Sequence, residues 1–378
     1  MTQLPDTSLS ADIRSAASLL QFQEPQQTTY ARLRQLFGRQ ILHLFRAITE
    51  EVRTVDPHLY AKTLDKLSTL LEGASILLTP EFAGKVLDYP YGNAVNICAF
   101  FLQSMDASLA KAAGSFDRNL YPALWSGEGD FFIRFDPEAQ QFRRYDAFSI
   151  GEDITLDFFS PYCIRIDNQE LGEPEGAIIE EYDYPEAFSL YEKLDDTFNA
   201  FHGQPAGHLI SHFTRTILLK KLTSNGQTYF SSASNFPWIG RTLLLNAGAA
   251  SQSQLADALV HESTHSLLYT INVLNKWMPP NSTIRQLGRH IISPWTSRLL
   301  DTGNYLQAIF VWYALSNFWQ QALEQQTFDQ AFGIERIRMI RSGFTKVDIR
   351  QLNDSCQLQL KEELMGTIER VRHQILHS

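Results

Sequence analysis

Residues 241–275 read RTLLLNAGAASQSQLADALVHESTHSLLYTINVLN. Arg241-Thr-Leu-Leu-Leu-Asn246 is a short apolar strand. Ser251-Gln252-Ser253-Gln254 is an S-x-x-Q capping box, the sequence mark of a helix start. Leu255, Leu259, Leu267, Ile271 and Leu274 then repeat at helical spacing, and Pro279-Pro280 closes the run. A strand leading into an amphipathic helix implies an α+β chain, and the helix carries His261-Glu262-Ser263-Thr264-His265. Residues four apart share one helix face, so the two imidazoles can bind one metal ion. Glu262, one step round, can reach a metal-bound water or a substrate proton.

The remaining sequence extends this reading in both directions. Residues 1 to about 120 are helical in pattern: LRQLFGRQILHLFRAITEEVRTV and LYAKTLDKLSTLLEGASILL have 3.6-type spacing and end at Asp-Pro or Gly. From about residue 129 the period changes. DFFIRFDP, QFRRYDAF and YCIRID are short, aromatic and β-branched, with turn residues between them. The acidic stretch 167–187, punctuated by Pro and Gly, is expected to be an exposed loop. Helices are expected at about 186–200 and 205–222, before the strand at 241. The expected fold is α+β, mostly helical, with a small β-sheet preceding the metal-binding helix. It divides into an N-terminal helical region, 1–125, and an α+β catalytic region, 126–378.

With 378 residues, 44% of them hydrophobic, the chain has ample material for a folded core. A net charge of −10 argues against a nucleic-acid surface, which is normally basic. Cys98, Cys163 and Cys356 are odd in number and widely spaced, so neither a zinc ribbon nor a disulfide framework is indicated. The opening MTQLPDTSLSADIRS lacks the basic and apolar parts of a signal peptide, and no run of 18 apolar residues exists. The expected compartment is the cytoplasm, with no membrane partner.

A two-histidine pair is not a finished metal site. Catalytic zinc takes three protein ligands and keeps one position open, and non-haem iron(II) takes two His and a carboxylate. The third ligand is expected downstream. There, Ser293-Pro-Trp-Thr-Ser-Arg-Leu-Leu-Asp301 precedes a helix, residues 304–319, that is apolar nearly all round. A buried helix has few polar points, and Gln307 is one.

Taken together, LVHE-x-x-H-S-L-L, SPW-T-x-R-x-LD and Y-x-x-A-x-F-V-W-Y-x-L-x-N-F-W resemble the HExxH-type peptide-modification proteins of ribosomal peptide pathways. The resemblance covers about residues 205–320. It implies an iron(II)- and α-ketoglutarate-dependent hydroxylase acting on a peptide or amino-acid β-carbon, with a ribosomal precursor peptide as partner. His261 and His265 then hold the metal, and Glu262 is an acid–base group. In that family the position matching Gln307 carries His, the third ligand. Either Gln307 ligates in its place, or Asp301 substitutes, or affinity is lost. His290 has only its nearness in sequence to recommend it. The alternative place for Gln307 is N3 of a capping box begun by Asn304. Arg298 is expected to hold the distal carboxylate of α-ketoglutarate, because a guanidinium pairs with carboxylate fork to fork. Its alternative is a salt bridge to Asp301.

The same five residues also suit a zinc metallopeptidase in which Glu262 is general base to a zinc-bound water. A non-catalytic peptide-binding protein with a degenerate metal site is the third reading. Among other candidates, His208 and His212 share i,i+4 spacing but have no acid between them. Ser232, Ser234, Asn235 and Arg241 either contact a peptide backbone or shape a turn around Pro237. Lys220-Lys221 reads as a solvated helix end. Trp312, Tyr313, Phe318 and Trp319 read as core.

Overall fold

The computed structural model describes residues 12–23, 26–70, 75–89, 92–151, 153–166, 177–279, 284, 290–348 and 361–377. Residues 167–176 of the loop expected over 167–187, together with Pro280 and Cys356, lie outside the described residues. The fold is α+β and mostly helical, with several small sheets. The chain forms two compact units, Gln27–Ser266 and Met1–Gln26 with Leu267–Ser378.

The helix α1 (Ile13–Leu19) belongs to the second unit. The first unit opens with α2 (Gln27–Val55), α3 (Pro57–Thr69), α4 (Pro80–Leu87) and α5 (Ala94–Ala113). Asp-Pro does separate α2 from α3: the Asp56 carboxylate accepts the Leu59 N–H and Pro57 takes the first helical position. The helices bury an aromatic cluster in which Phe45 lies 4.9 Å, centroid to centroid, from both Phe82 and Phe101. Such ring pairs add about 0.5–1.5 kcal/mol each to the burial itself. A meander of β1 (Ala123–Trp125), β2 (Phe131–Asp136) and β3 (Gln141–Asp146) follows, and Phe131 and Ile133 pack with Ala107 and Ala110 of α5.

The larger sheet uses β4 (Phe148–Ile150), β5 (Ile154–Asp157), β6 (Ile178–Glu180), β7 (Thr216–Thr223), β8 (Ser231–Ala233) and β9 (Arg241–Leu245). Their order is β4-β5-β7-β9-β8, with β6 paired to the far end of β7. Strand β7 is parallel to β5 and β9, and β8 is an antiparallel edge. Three sequence expectations fail here. The helix expected over 205–222 stops early: α7 (Tyr184–Asn199) is followed by α8 (Pro205–Phe213), and 216–223 is the central strand. A strand buried on both faces reads as a continuous apolar run, so periodicity alone cannot separate it from a buried helix. Lys220 is accordingly not at a solvated helix end; it is 2% exposed on β7, with Glu181 3.7 Å away. YCIRID is not a strand either. Ser160 accepts the Tyr162 and Cys163 N–H groups and starts a one-turn helix, α6 (Pro161–Ile164).

The helix α9 (Gln252–Asn275) carries the motif. Asn246 links β9 to it in the left-handed conformation, which Asn tolerates. Its amide accepts the Leu222 N–H and donates to the carbonyls of Leu222 and Tyr229, replacing a missing stretch of ladder. The capping box is present: the Gln254 N–H bonds Ser251 Oγ, and the Ser251 N–H bonds Gln254 Oε1. The helix ends before the prolines. Lys276 turns left-handed, and Asn272 Oδ1 accepts the Met278 N–H.

In the second unit, β10 (His290–Ile292) and β11 (Leu299–Asp301) form a hairpin that leads into α10 (Thr302–Gln325). Next come α11 (Gln330–Phe344) and α12 (Glu362–His377). Trp312, Tyr313, Phe318 and Trp319 are core, as their pattern indicates. Trp295 of the SPW turn stacks on Trp312 at 5.8 Å and donates to the Ile340 carbonyl. No helix among the described residues is long and apolar enough to cross a membrane.

Candidate metal centre

Strand register decides which side of α9 meets the sheet. Ile217 pairs Thr242, Leu219 pairs Leu244, and Leu244 pairs Ser232. Directly paired residues point to one face, so these five side chains share it. The apolar ones are fully buried, as are Leu255, Ala256 and Leu259 of α9. Three polar contacts, one to β8 and two to residues just before β7 and β9, lock the helix in rotation. Ser263 Oγ and Thr214 Oγ1 are 2.7 Å apart, the Gly240 N–H donates to Ser266 Oγ, and Ser232 Oγ donates to Glu262 Oε1 over 2.6 Å. At about 100° per residue, Glu262, Ser263 and Ser266 fall on the sheet side, which turns His261 and His265 away from Ser263.

The two imidazoles are half-buried, with ring centroids 5.0 Å apart, whereas Glu262 is 2% exposed. One ligand atom from each of His261, Glu262 and His265 lies within 4.8 Å of the others. Two bonds of about 2.1 Å allow donors up to about 4.2 Å apart around one ion, so small side-chain rotations complete the fit. Two neutral imidazoles and a carboxylate suit a divalent first-row transition metal. Glu262 uses Oε1 on Ser232, and Oε2 has no hydrogen bond among the described residues. That oxygen can hold a proton.

The remaining expected site residues belong to the second unit. Arg298 is exposed on the β10–β11 turn; its side chain has no ion pair among the described residues, so the salt bridge to Asp301 does not form. Both Asp301 carboxylate oxygens are engaged with Asn304, through the backbone N–H at 2.7 Å and the side-chain amide at 3.1 Å. Asp301, not Asn304, is therefore the N-cap of α10. Gln307 sits a turn further in than a capping-box N3 residue. It is 2% exposed, and its amide donates to Met278 Sδ at 3.5 Å. His290 is exposed on β10.

His208 and His212 form no metal cluster among the described residues. Their contact is a bond from His212 Nδ1 to the His208 carbonyl. Ser232 was visible in the sequence only as a residue near a turn. Its bond to Glu262 spans 30 residues, and no local pattern announces it. No protein-family model matches the chain, and no curated protein matches it.

Proposed function

We propose that this chain is a metal-dependent peptide-modifying enzyme, an iron(II)/α-ketoglutarate-dependent hydroxylase of a peptide or amino-acid β-carbon. The observation that supports the reading most is the clustering of His261, Glu262 and His265, with Glu262 held by Ser232. His261 and His265 would hold the metal. The resemblance of residues 205–320 selects iron over zinc and assigns Gln307 as third ligand. Asp301 is the weaker choice because ligation would break the α10 cap. Arg298, exposed and unpaired in its own unit, would take the distal carboxylate of α-ketoglutarate. When bound, iron with this co-substrate supplies the oxidising power to replace a C–H bond with C–OH. The protein's own work is positioning and exclusion of water. Ser232 fixes one oxygen of Glu262, and the other can hold a proton from substrate or solvent. A peptide has a natural place to lie. Among the described residues the edge strand β8 pairs with β9 alone, and a strand added on its other side would lie beside Glu262.

The Glu262 arrangement also favours a second reading, a zinc peptidase with Glu262 as general base. One experiment separates the two. Protein purified without oxygen is analysed for metal, then given iron(II), α-ketoglutarate and oxygen, and succinate is followed by mass spectrometry. Succinate formation supports the hydroxylase. No succinate with iron, but peptide cleavage with zinc, replaces it with the peptidase. Neither activity, together with no rescue by Gln307→His, leaves a binding protein.

A further inference from the structure

A group of basic side chains in the Gln27–Ser266 unit takes no part in the centre above. Tyr30 and Arg34 are one turn apart on α2 and so share a face. The Tyr30 ring lies 5.7 Å from that of His212, near the end of α8. Arg215 follows two residues after α8. Arg34 lies within electrostatic reach of Arg215, Asp153 and Glu128, and His212 within reach of Arg34 and Asp153. Three elements thus bring Arg34, His212 and Arg215 together.

Each of the three has unused hydrogen-bonding capacity. Arg215 is 7% exposed. Its Nη1 bonds Asp153 at 3.2 Å and its Nη2 bonds Glu128, but its Nε–H is buried with no partner. A buried donor left unmade costs about 1–3 kcal/mol, so such a group asks for an acceptor. Arg34 is half-buried, yet it makes no hydrogen bond or ion pair among the described residues. Burial, and Arg215 beside it, hold its guanidinium below the usual arginine range. The two acids do not remove the need for an anion. Glu128 is committed to Arg215, and the Asp153 side chain is 62% exposed, so water screens it.

His212 narrows the choice of anion. Its Nδ1–H is spent on the His208 carbonyl at 2.8 Å, which leaves Nε2 with a lone pair in the neutral ring. Burial holds this imidazole below the usual histidine range, favouring the neutral form. The set therefore offers two guanidinium donors and one acceptor. A carboxylate or sulfate at neutral pH has only acceptors. A protonated phosphate has both acceptor oxygens and an O–H.

We propose that Arg34, Arg215 and His212 form a phosphate-binding site, with the guanidiniums donating to phosphate oxygens and His212 Nε2 accepting a P–OH. This site is independent of the metal centre and of the function proposed for it. The test is calorimetric titration of the full chain with inorganic phosphate, sulfate and succinate, before and after metal removal by a chelator. Saturable phosphate binding that survives metal removal is expected, at least several-fold tighter than sulfate or succinate. Arg34→Gln should weaken it tenfold or more. Arg34→Lys, which keeps the charge and loses the fork, should weaken it less, and it decides the matter if Arg34→Gln does not fold. No saturable binding, equal affinity for sulfate, loss on metal removal, or unchanged affinity in the folded Arg34 variants overturns the proposal.

Discussion

Ser232 Oγ donates to Glu262 Oε1 over 2.6 Å, joining an edge strand to the motif helix. The bond orients a buried carboxylate whose neighbours on either side are the candidate ligand His261 and the sheet contact Ser263. A hydrogen bond to a charged group contributes about 1.5–3 kcal/mol. Ser232→Ala should lower turnover roughly tenfold or more by that measure, with metal content unchanged. Ser232→Thr keeps the hydroxyl and should recover most of the loss. Steady-state kinetics showing a rise in KM with kcat unchanged, or no rescue by Thr, would remove Ser232 as a positioning residue for Glu262.

His261→Ala and His265→Ala should each abolish metal binding and leave the fold largely intact. Both imidazoles are half-buried, and the helix is anchored through other residues, Ser263 and Ser266. Metal analysis beside circular dichroism reads the two effects separately. Full metal occupancy in the double variant would sink the site.

Glu262→Gln distinguishes the two chemistries. A peptidase that loses its general base loses nearly all activity. A hydroxylase should retain detectable succinate formation with iron(II). Gln can still accept the Ser232 hydroxyl, so the helix should stay in place. Complete loss of succinate in a folded, iron-loaded variant would make Glu262 essential to the oxidative reaction.

Gly343→Ala should be strongly destabilising. An added Cβ would overlap Trp295 Cδ1 and Nε1. Trp295 cannot retreat, being stacked on Trp312 and bonded to the Ile340 carbonyl. Overpacking of this kind costs about 1–3 kcal/mol or more, seen as a lower denaturant midpoint. A midpoint equal to wild type would show that the SPW turn is looser than this contact implies.

Asp157 gives a pH signature. It is fully buried, and burial pushes its carboxyl up to about 7 despite hydrogen bonds from Ser160. The folded state then holds a proton that the unfolded state, at about 3.9, releases. Stability from this group is full below about pH 4 and is lost as pH rises toward 7, at up to about 1.4 kcal/mol per unit. Asp157→Asn keeps an acceptor for Ser160 and has no charge to desolvate. Its stability relative to wild type should therefore rise with pH across this window. A flat difference between the two proteins would show that Asp157 titrates normally.

What the sequence determined by itself was whatever is periodic or local. The capping box at Ser251 and Gln254, the stripe of α9, the pairing of His261 with His265 and the Asp-Pro break before α3 all depend on residues within a turn or two, where covalent geometry dictates the neighbours. Tertiary structure decided the rest. The run TILLKKLT satisfies a helix and a strand equally well, and only pairing with β5 and β9 made it a strand. Asp301 rather than Asn304 capped α10 because the β10–β11 hairpin delivers it there. Ser232 met Glu262, and Thr214 met Ser263, because sheet register fixed the rotation of the helix above them. Those contacts join residues 30 and 49 positions apart, and chain distance of that kind is closed by burial of apolar surface, which leaves no local mark on the sequence.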